Sequence, residues 1–156
     1  FDVNNAMSNP LKATKFGLPF RHVPTYLAGY YKYKAGDQFT EGGKPVNGKR
    51  DICDIYAIMY ETSESVPTLD GTNAFTSPNL ISTARINNAK ETNEWTYFKL
   101  PFTTLPGKFI DKEKLMDGKY NIAIVFTSSL EGDHFNGAIG STLLIDEAEL
   151  IYRSEN

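Results

Sequence analysis

The chain has 156 residues, with 16 Lys and Arg against 19 Asp and Glu, a formal net charge of −3, and 40% hydrophobic and 22% charged residues. That length fits one domain, residues 1–156, with a sizeable core, and the dispersed Lys and Arg leave no nucleic-acid footprint. A single cysteine excludes an internal disulfide and a cysteine-based metal cluster, and no apolar run reaches the roughly 20 residues that span a bilayer.

The first 15 residues read as a strand end followed by a turn at Ser8-Asn9-Pro10. Gly17, Pro19 and Pro24 break any regular element before residue 25. Thr25 to Lys34 reads as a strand, with Tyr31 and Tyr33 on one face and Tyr30 and Lys32 on the other. Gly29 inside it marks a bulge or a close backbone approach. A long polar loop follows to Arg50, rich in turn residues and long enough to be functional. Asp51 to Glu61 is apolar on both faces and reads as a buried strand; it carries Cys53, expected to be a buried, inert thiol. Thr62 to Asn79 is turn-rich. Leu80 to Ile86 and Glu94 to Pro101 are strands, the second with Trp95 and Tyr97 sharing a face. Asp111 is placed to cap one helical turn reaching Met116. Lys119 to Ser128 is a strong buried strand, and a loop leads to the last strand, Gly140 to Arg153.

That last strand has Leu143 and Ile145 on one face, and Leu144, Ala148, Leu150 and Tyr152 on the other. Apolar residues on both faces predict a central position in a sheet. Asp146 within it calls for a hydrogen-bonded corner, a bound cation or a bend toward solvent. Six or more strands with almost no helix to bury them predict an all-β fold: a two-sheet antiparallel β-sandwich of jelly-roll type.

The chemistry legible in the residues is sparse. His22 and His134 belong to no ligand-spaced pair, so zinc is disfavoured. A structural calcium ion is more compatible, with Asp146 and Asp2 as candidate metal ligands. Neither a Gly-x-Ser-x-Gly elbow nor a Gly-rich phosphate loop is present. Glycoside hydrolysis needs two facing carboxylates; Asp51 and Asp54 point to opposite faces of their strand and do not form such a pair by themselves. The remaining signal is aromatic: 10 Phe, nine Tyr and one Trp. Sugar rings stack their C–H faces on aromatic rings while polar side chains bond the hydroxyls. Candidate binding residues are Trp95, Tyr97, Tyr56, Tyr60, Tyr31, Arg85 and His134, against the alternative that aromatics on strands serve the core or cross-strand pairs.

Several segments in order, including Pro24-Thr-Tyr-Leu-Ala-Gly-Tyr-Tyr-Lys-Tyr-Lys-Ala-Gly36, Asp51-Ile-Cys-Asp-Ile-Tyr-Ala57, Leu69-Asp-Gly-Thr-Asn73, Thr76-Ser-Pro-Asn79, Glu94-Trp95, Gly118-Lys-Tyr-Asn-Ile-Ala-Ile-Val-Phe126 and Gly137-Ala-Ile-Gly-Ser-Thr-Leu143, resemble the putative carbohydrate metabolism domain family. The resemblance covers nearly the whole chain. It implies a jelly-roll sandwich similar to galactose-binding and carbohydrate-binding modules. It also implies a bacterial setting outside the cytoplasm: extracellular, on the outer-membrane surface as a lipoprotein, or periplasmic. A neighbouring N-terminal domain of the same protein is expected with it. It carries no catalytic motif across.

Residues and resemblance together predict a non-catalytic carbohydrate-binding module whose partner is a poly- or oligosaccharide. The alternatives are a glycoside hydrolase or related enzyme, and a structural or adhesive interaction module. Trp95 is the first candidate platform, so Trp95→Ala is expected to abolish binding without unfolding the domain.

Overall fold

The structure, a computed structural model, describes residues 3–6 and 8–153. Two short helices, α1 (Val3–Ala6) and α2 (Pro10–Ala13), open the described chain where the sequence suggested a strand end. Strands β1 (Lys15–Phe16), β2 (Leu18–Pro19) and β3 (Val23–Lys34) follow. The long polar loop contains a small hairpin, β4 (Phe39–Glu41) and β5 (Lys44–Pro45). Next come β6 (Asp54–Glu61), β7 (Leu69–Asp70), β8 (Leu80–Arg85), β9 (Thr92–Pro101) and β10 (Thr103–Thr104). Helix α3 (Lys112–Met116) is capped as expected, the Asp111 carboxylate accepting from the Lys114 amide at 2.9 Å. The chain ends in β11 (Tyr120–Thr127), β12 (Gly137–Ala138) and β13 (Thr142–Arg153).

These strands form an antiparallel β-sandwich. One sheet has the order β10-β8-β6-β11-β2 and the other β13-β3-β9, with small sheets β12-β4-β5 and β1-β7 at the periphery. The core between the two large sheets is built from Leu27, Tyr31, Tyr33, Cys53, Ile55, Ala57, Ala84, Phe98 and Leu100. The opposite face of β6 is covered as well: Tyr56, Ile58 and Tyr60 pack with Leu69, Ala74 and Ala123 under the 62–79 excursion. This is why β6 is apolar on both faces. Helix α3 supplies Leu115 to close one end of the sandwich against Met59, Ile81 and Tyr120.

The last strand is an edge, not a centre. Among the described residues β13 pairs only with β3, and the central strands are β3 and β6. A bulge explains the misleading pattern. Asp146 pairs with Tyr30 but Glu149 pairs with Ala28, so β13 carries one extra residue there. The insertion inverts the side-chain parity. Leu143 and Ile145, opposite Tyr33 and Tyr31, and Leu150, opposite Leu27, therefore all face the core, although the sequence put them on different faces. Asp146 lies at the exposed bend, its carboxylate accepting from the Glu147 amide at 2.8 Å. Gly29 does mark a close approach: a Cβ there would lie 2.9 Å from the Phe98 ring and 3.2 Å from the Asp146 carbonyl oxygen. β11 is less buried than its sequence suggested, since Ile124 and Phe126 lie at the open side of the sandwich and are exposed.

Candidate functional site

The outer face of the five-stranded sheet carries a concavity where β6, β8 and β11 meet two excursions of the chain. The register decides its floor. Tyr56 of β6 lies between Arg85 of β8 and Val125 of β11, and Thr127 stands opposite Asp54. Asp54 and Tyr56 are two apart on one strand and share this face. From the 62–79 excursion comes Phe75, and from the 129–141 loop come Leu130 and Asp133; Leu11 and Phe16 complete the wall. The enclosed volume is about 290 Å³, at the small end of the roughly 300–1,000 Å³ typical of small-molecule sites.

Its centre is a charge-assisted fork. Arg85 Nη2 donates to Asp54 Oδ2 at 2.6 Å, and Arg85 Nε lies 3.1–3.2 Å from both carboxylate oxygens. The Asp54 side chain is buried while that of Arg85 is 43% exposed. The guanidinium lies 4.4 Å from the Phe75 ring centroid and 5.7 Å from that of Tyr56. The two rings meet edge to face, 4.8 Å apart. Burial pushes the Tyr56 phenol up to about 12, with the Asp54 charge adding to the effect, so Tyr56 serves as a neutral hydroxyl and apolar surface. A guanidinium has five N–H donors. Asp54 takes two, and the remaining three have no partner among the described residues. An oriented cation with spare donors, flanked by aromatic carbon in a concavity, suits the hydroxyls and C–H faces of a sugar.

The sequence candidates divide into three groups. Arg85 and Tyr56 come together in this concavity. His134 is nearby on a short 3₁₀ turn, Gly132–His134, its Nδ1 2.9 Å from Asp133 Oδ1. Trp95 and Tyr97 lie elsewhere, on the solvent face of the other sheet, 44% and 55% exposed. There Lys32 Nζ lies 5.0 Å from the Trp95 ring and Tyr97 packs against Tyr30. Tyr31 and Tyr60 are core side chains, 5% and 0% exposed, so neither presents a face to a ligand. Tyr60 instead bonds Phe16 O, Leu69 N and the Asn121 carboxamide, tying the N-terminal segment and the 62–79 excursion to the sheet. Asp54 and Phe75, the two side chains that meet Arg85 here together with Tyr56, went unselected in the sequence. Phe75 had a local signal, an aromatic among turn residues; the partner of Asp54 is 31 residues away and visible only through strand pairing.

Among the described residues no three His, Cys, Asp or Glu side chains converge on a metal position. Asp146 lies at the bulge and belongs to no such group, and Asp2 lies outside the described residues. The buried Asp51 carboxylate is held by hydrogen-bond donors. Ile52 N donates to Oδ1 at 2.9 Å, and Ser129 Oγ, Ser141 Oγ and Ala138 N donate to Oδ2 at 2.6, 2.7 and 2.9 Å. Cys53 is buried, and burial pushes its thiol up to about 11, which keeps it protonated and unreactive.

A family model described as "Putative carbohydrate metabolism domain" matches residues 1–151. The chain belongs to the putative carbohydrate metabolism domain family. Two solved structures share the fold of this family member. One is described as a putative glycoside hydrolase from Bacteroides thetaiotaomicron VPI-5482; it is 90% identical over 99% of this chain and 46% of its own, with a TM-score of 0.98. The other is described as a putative glycoside hydrolase from Bacteroides vulgatus ATCC 8482; it is 47% identical over 98% of this chain and 61% of its own, with a TM-score of 0.93. This putative carbohydrate metabolism domain therefore spans less than two thirds of either chain. Comparison with curated proteins gave no match.

Proposed function

We propose that this domain is a carbohydrate-binding module and that the Arg85 concavity is its site. The observation that carries the reading is the Arg85 guanidinium, fixed from behind by buried Asp54, flanked by Phe75 and Tyr56, and left with three N–H donors. Fixing the cation in advance lowers the ordering cost of binding. The family's carbohydrate context supports a sugar as the ligand. A place in a longer, exported bacterial protein, at the cell surface or in the periplasm, is part of the same proposal. The greater length of the two solved relatives supports the longer polypeptide.

The experiment is a glycan-array screen of the wild type with Phe75→Ala, Arg85→Lys and Trp95→Ala. Arg85→Lys keeps the charge beside Asp54 but loses the fork, so it separates binding from folding. Saturable binding lost in Phe75→Ala and Arg85→Lys but kept in Trp95→Ala is the expected result. Loss in Trp95→Ala alone would move the site to the exposed sheet face.

Glycoside hydrolysis is the second reading, because Asp54 and Asp133 both line the concavity. Against it, both Asp54 oxygens are engaged by Arg85, and one Asp133 oxygen lies against His134. A general acid must offer a proton to the glycosidic oxygen, and this geometry favours recognition. Release of reducing sugar that disappears in Asp133→Asn would establish the enzyme reading instead.

A further inference from the structure

Arg85 also borders a second concavity. This one is more open, about 790 Å³, and adjoins the first, since Asp54, Arg85 and Leu130 line both. Its far rim is the turn 87–90, which joins β8 to β9. The backbone of this turn is anchored at both ends. Ile86 N donates to Ile55 O at 2.9 Å, and Lys90 N donates to the Tyr31 hydroxyl at 3.3 Å. Asn88 holds a left-handed conformation, φ 57°, which asparagine tolerates better than most residues. The exposed side chains of Asn87, Asn88 and Lys90 take no hydrogen bond or ion pair among the described residues. Ile52, 46% exposed, adds apolar surface beside Leu130.

We propose that the two concavities form one cleft for an oligosaccharide of at least two residues, an inference that rests on the carbohydrate-binding reading above. One sugar sits over Phe75 and Arg85. The next lies along Ile52, with its hydroxyls toward Asn87, Asn88 and Lys90. Arg85, at the junction, has enough free donors to bond both residues. Small-ligand pockets bury most of their ligand's surface around a few placed polar groups. Here the anchor also lines the adjoining concavity, whose two carboxamides and ammonium together offer hydroxyls both donors and acceptors.

The test is titration calorimetry with gluco-, galacto-, manno- and xylo-saccharides of one to four residues, on the wild type, Lys90→Ala, Asn88→Gly and Arg85→Lys. Glycine at 88 keeps the backbone conformation, and thermal melts confirm folding of each variant. In a series that binds, affinity should rise about tenfold or more, about 1.4 kcal/mol, between the single sugar and its trimer. Lys90→Ala and Asn88→Gly should each weaken the trimer about threefold to tenfold, the worth of one hydrogen bond, and leave the single sugar unchanged. Arg85-dependent binding that is equally tight for the single sugar and its trimer would overturn the cleft and keep the single pocket. Equal weakening of both by the turn variants would do the same. Failure of the wild type to bind any saccharide would overturn the carbohydrate-binding reading itself.

Discussion

Asp51 shows how a single side chain organises the site from outside it. It is buried and meets four donors, three of them from the stretch 129–141. That stretch also presents Leu130 and Asp133 to the concavity. Tyr33 reinforces the attachment by donating to Ser128 O at 2.9 Å, and burial pushes its phenol up to about 12. Gly137 is required nearby, because a Cβ there would lie 2.8 Å from Ser129 Oγ and 3.1 Å from Asp51 Oδ2. Asp51→Ala would strand these donors, so it should cost about 3 kcal/mol in urea denaturation, more than the loss of one net hydrogen bond. Ser82 is the opposite case. Its hydroxyl is buried without a partner among the described residues, so Ser82→Ala should leave the melting temperature equal or higher, by up to about 1 kcal/mol of stability. None of this could be read from the residues. The donors to Asp51 Oδ2 lie 78–90 positions along the chain.

At the scale of elements, the pairing of β13 with β3 holds two adjacent irregularities. Gly29 leaves room for the Phe98 ring and the Asp146 carbonyl oxygen, and Glu147 takes a left-handed φ of 48° in the bulge. Gly29→Val would drive a side chain into Phe98, and should destabilise by about 1–3 kcal/mol, the usual cost of overpacking. Glu147→Gly should stabilise by up to about 1 kcal/mol by relieving a conformation that costs side-chain-bearing residues. Thermal melts of the two variants check both signs; a stable Gly29→Val would mean the strands can separate locally without penalty. Most elements were legible. β6, β8, β9, β11 and the Asp111-capped helix follow from apolar periodicity and capping chemistry. The edge position of β13 did not, because a bulge makes one apolar face look like two.

Across the whole molecule, exposed ion pairs fasten the loops around the sandwich. Arg50 bonds both oxygens of Glu91, at 2.6 and 2.7 Å, and Glu91 also accepts from Ala35 N. Lys49 bridges Glu41 and Glu131, and Glu131 also accepts from Asn136. The Arg50 hydrogen bonds hold the Glu91 carboxyl below its ordinary range, and the Asn136 carboxamide, followed by Lys49, does so for Glu131. A carboxyl depressed in the folded state contributes stability above its unfolded value, about pH 4 for Glu, and that contribution is lost as pH falls through the folded value. Acidification from pH 6 to 3 should therefore lower the amide protection factors, each taken against the intrinsic exchange rate at that pH, in 35–50, 87–91 and 131–136 before the sheets open. Equal protection of these segments at both pH values would show that the ion pairs do not restrain the loops, as many exposed pairs do not.

The all-β class, the positions of most strands and the buried, unreactive cysteine were legible in the residues, because these follow from local periodicity and composition. The sequence also carried the family resemblance, and with it the expectation of carbohydrate chemistry. Only strand pairing and folded-back loops bring the residues of the proposed site together. Arg85 meets Asp54 and Tyr56 only because β8 pairs with β6 in one register, and Phe75 reaches them only because the 62–79 excursion folds back over that sheet. Tertiary structure also decided which aromatics face solvent. Tyr31 and Tyr60 are indistinguishable in sequence from Tyr97, yet the stacking of the two sheets and the cover over β6 bury the first two and leave Tyr97 exposed. Burial on a strand depends on what packs against each face, and that information lies in other segments of the chain.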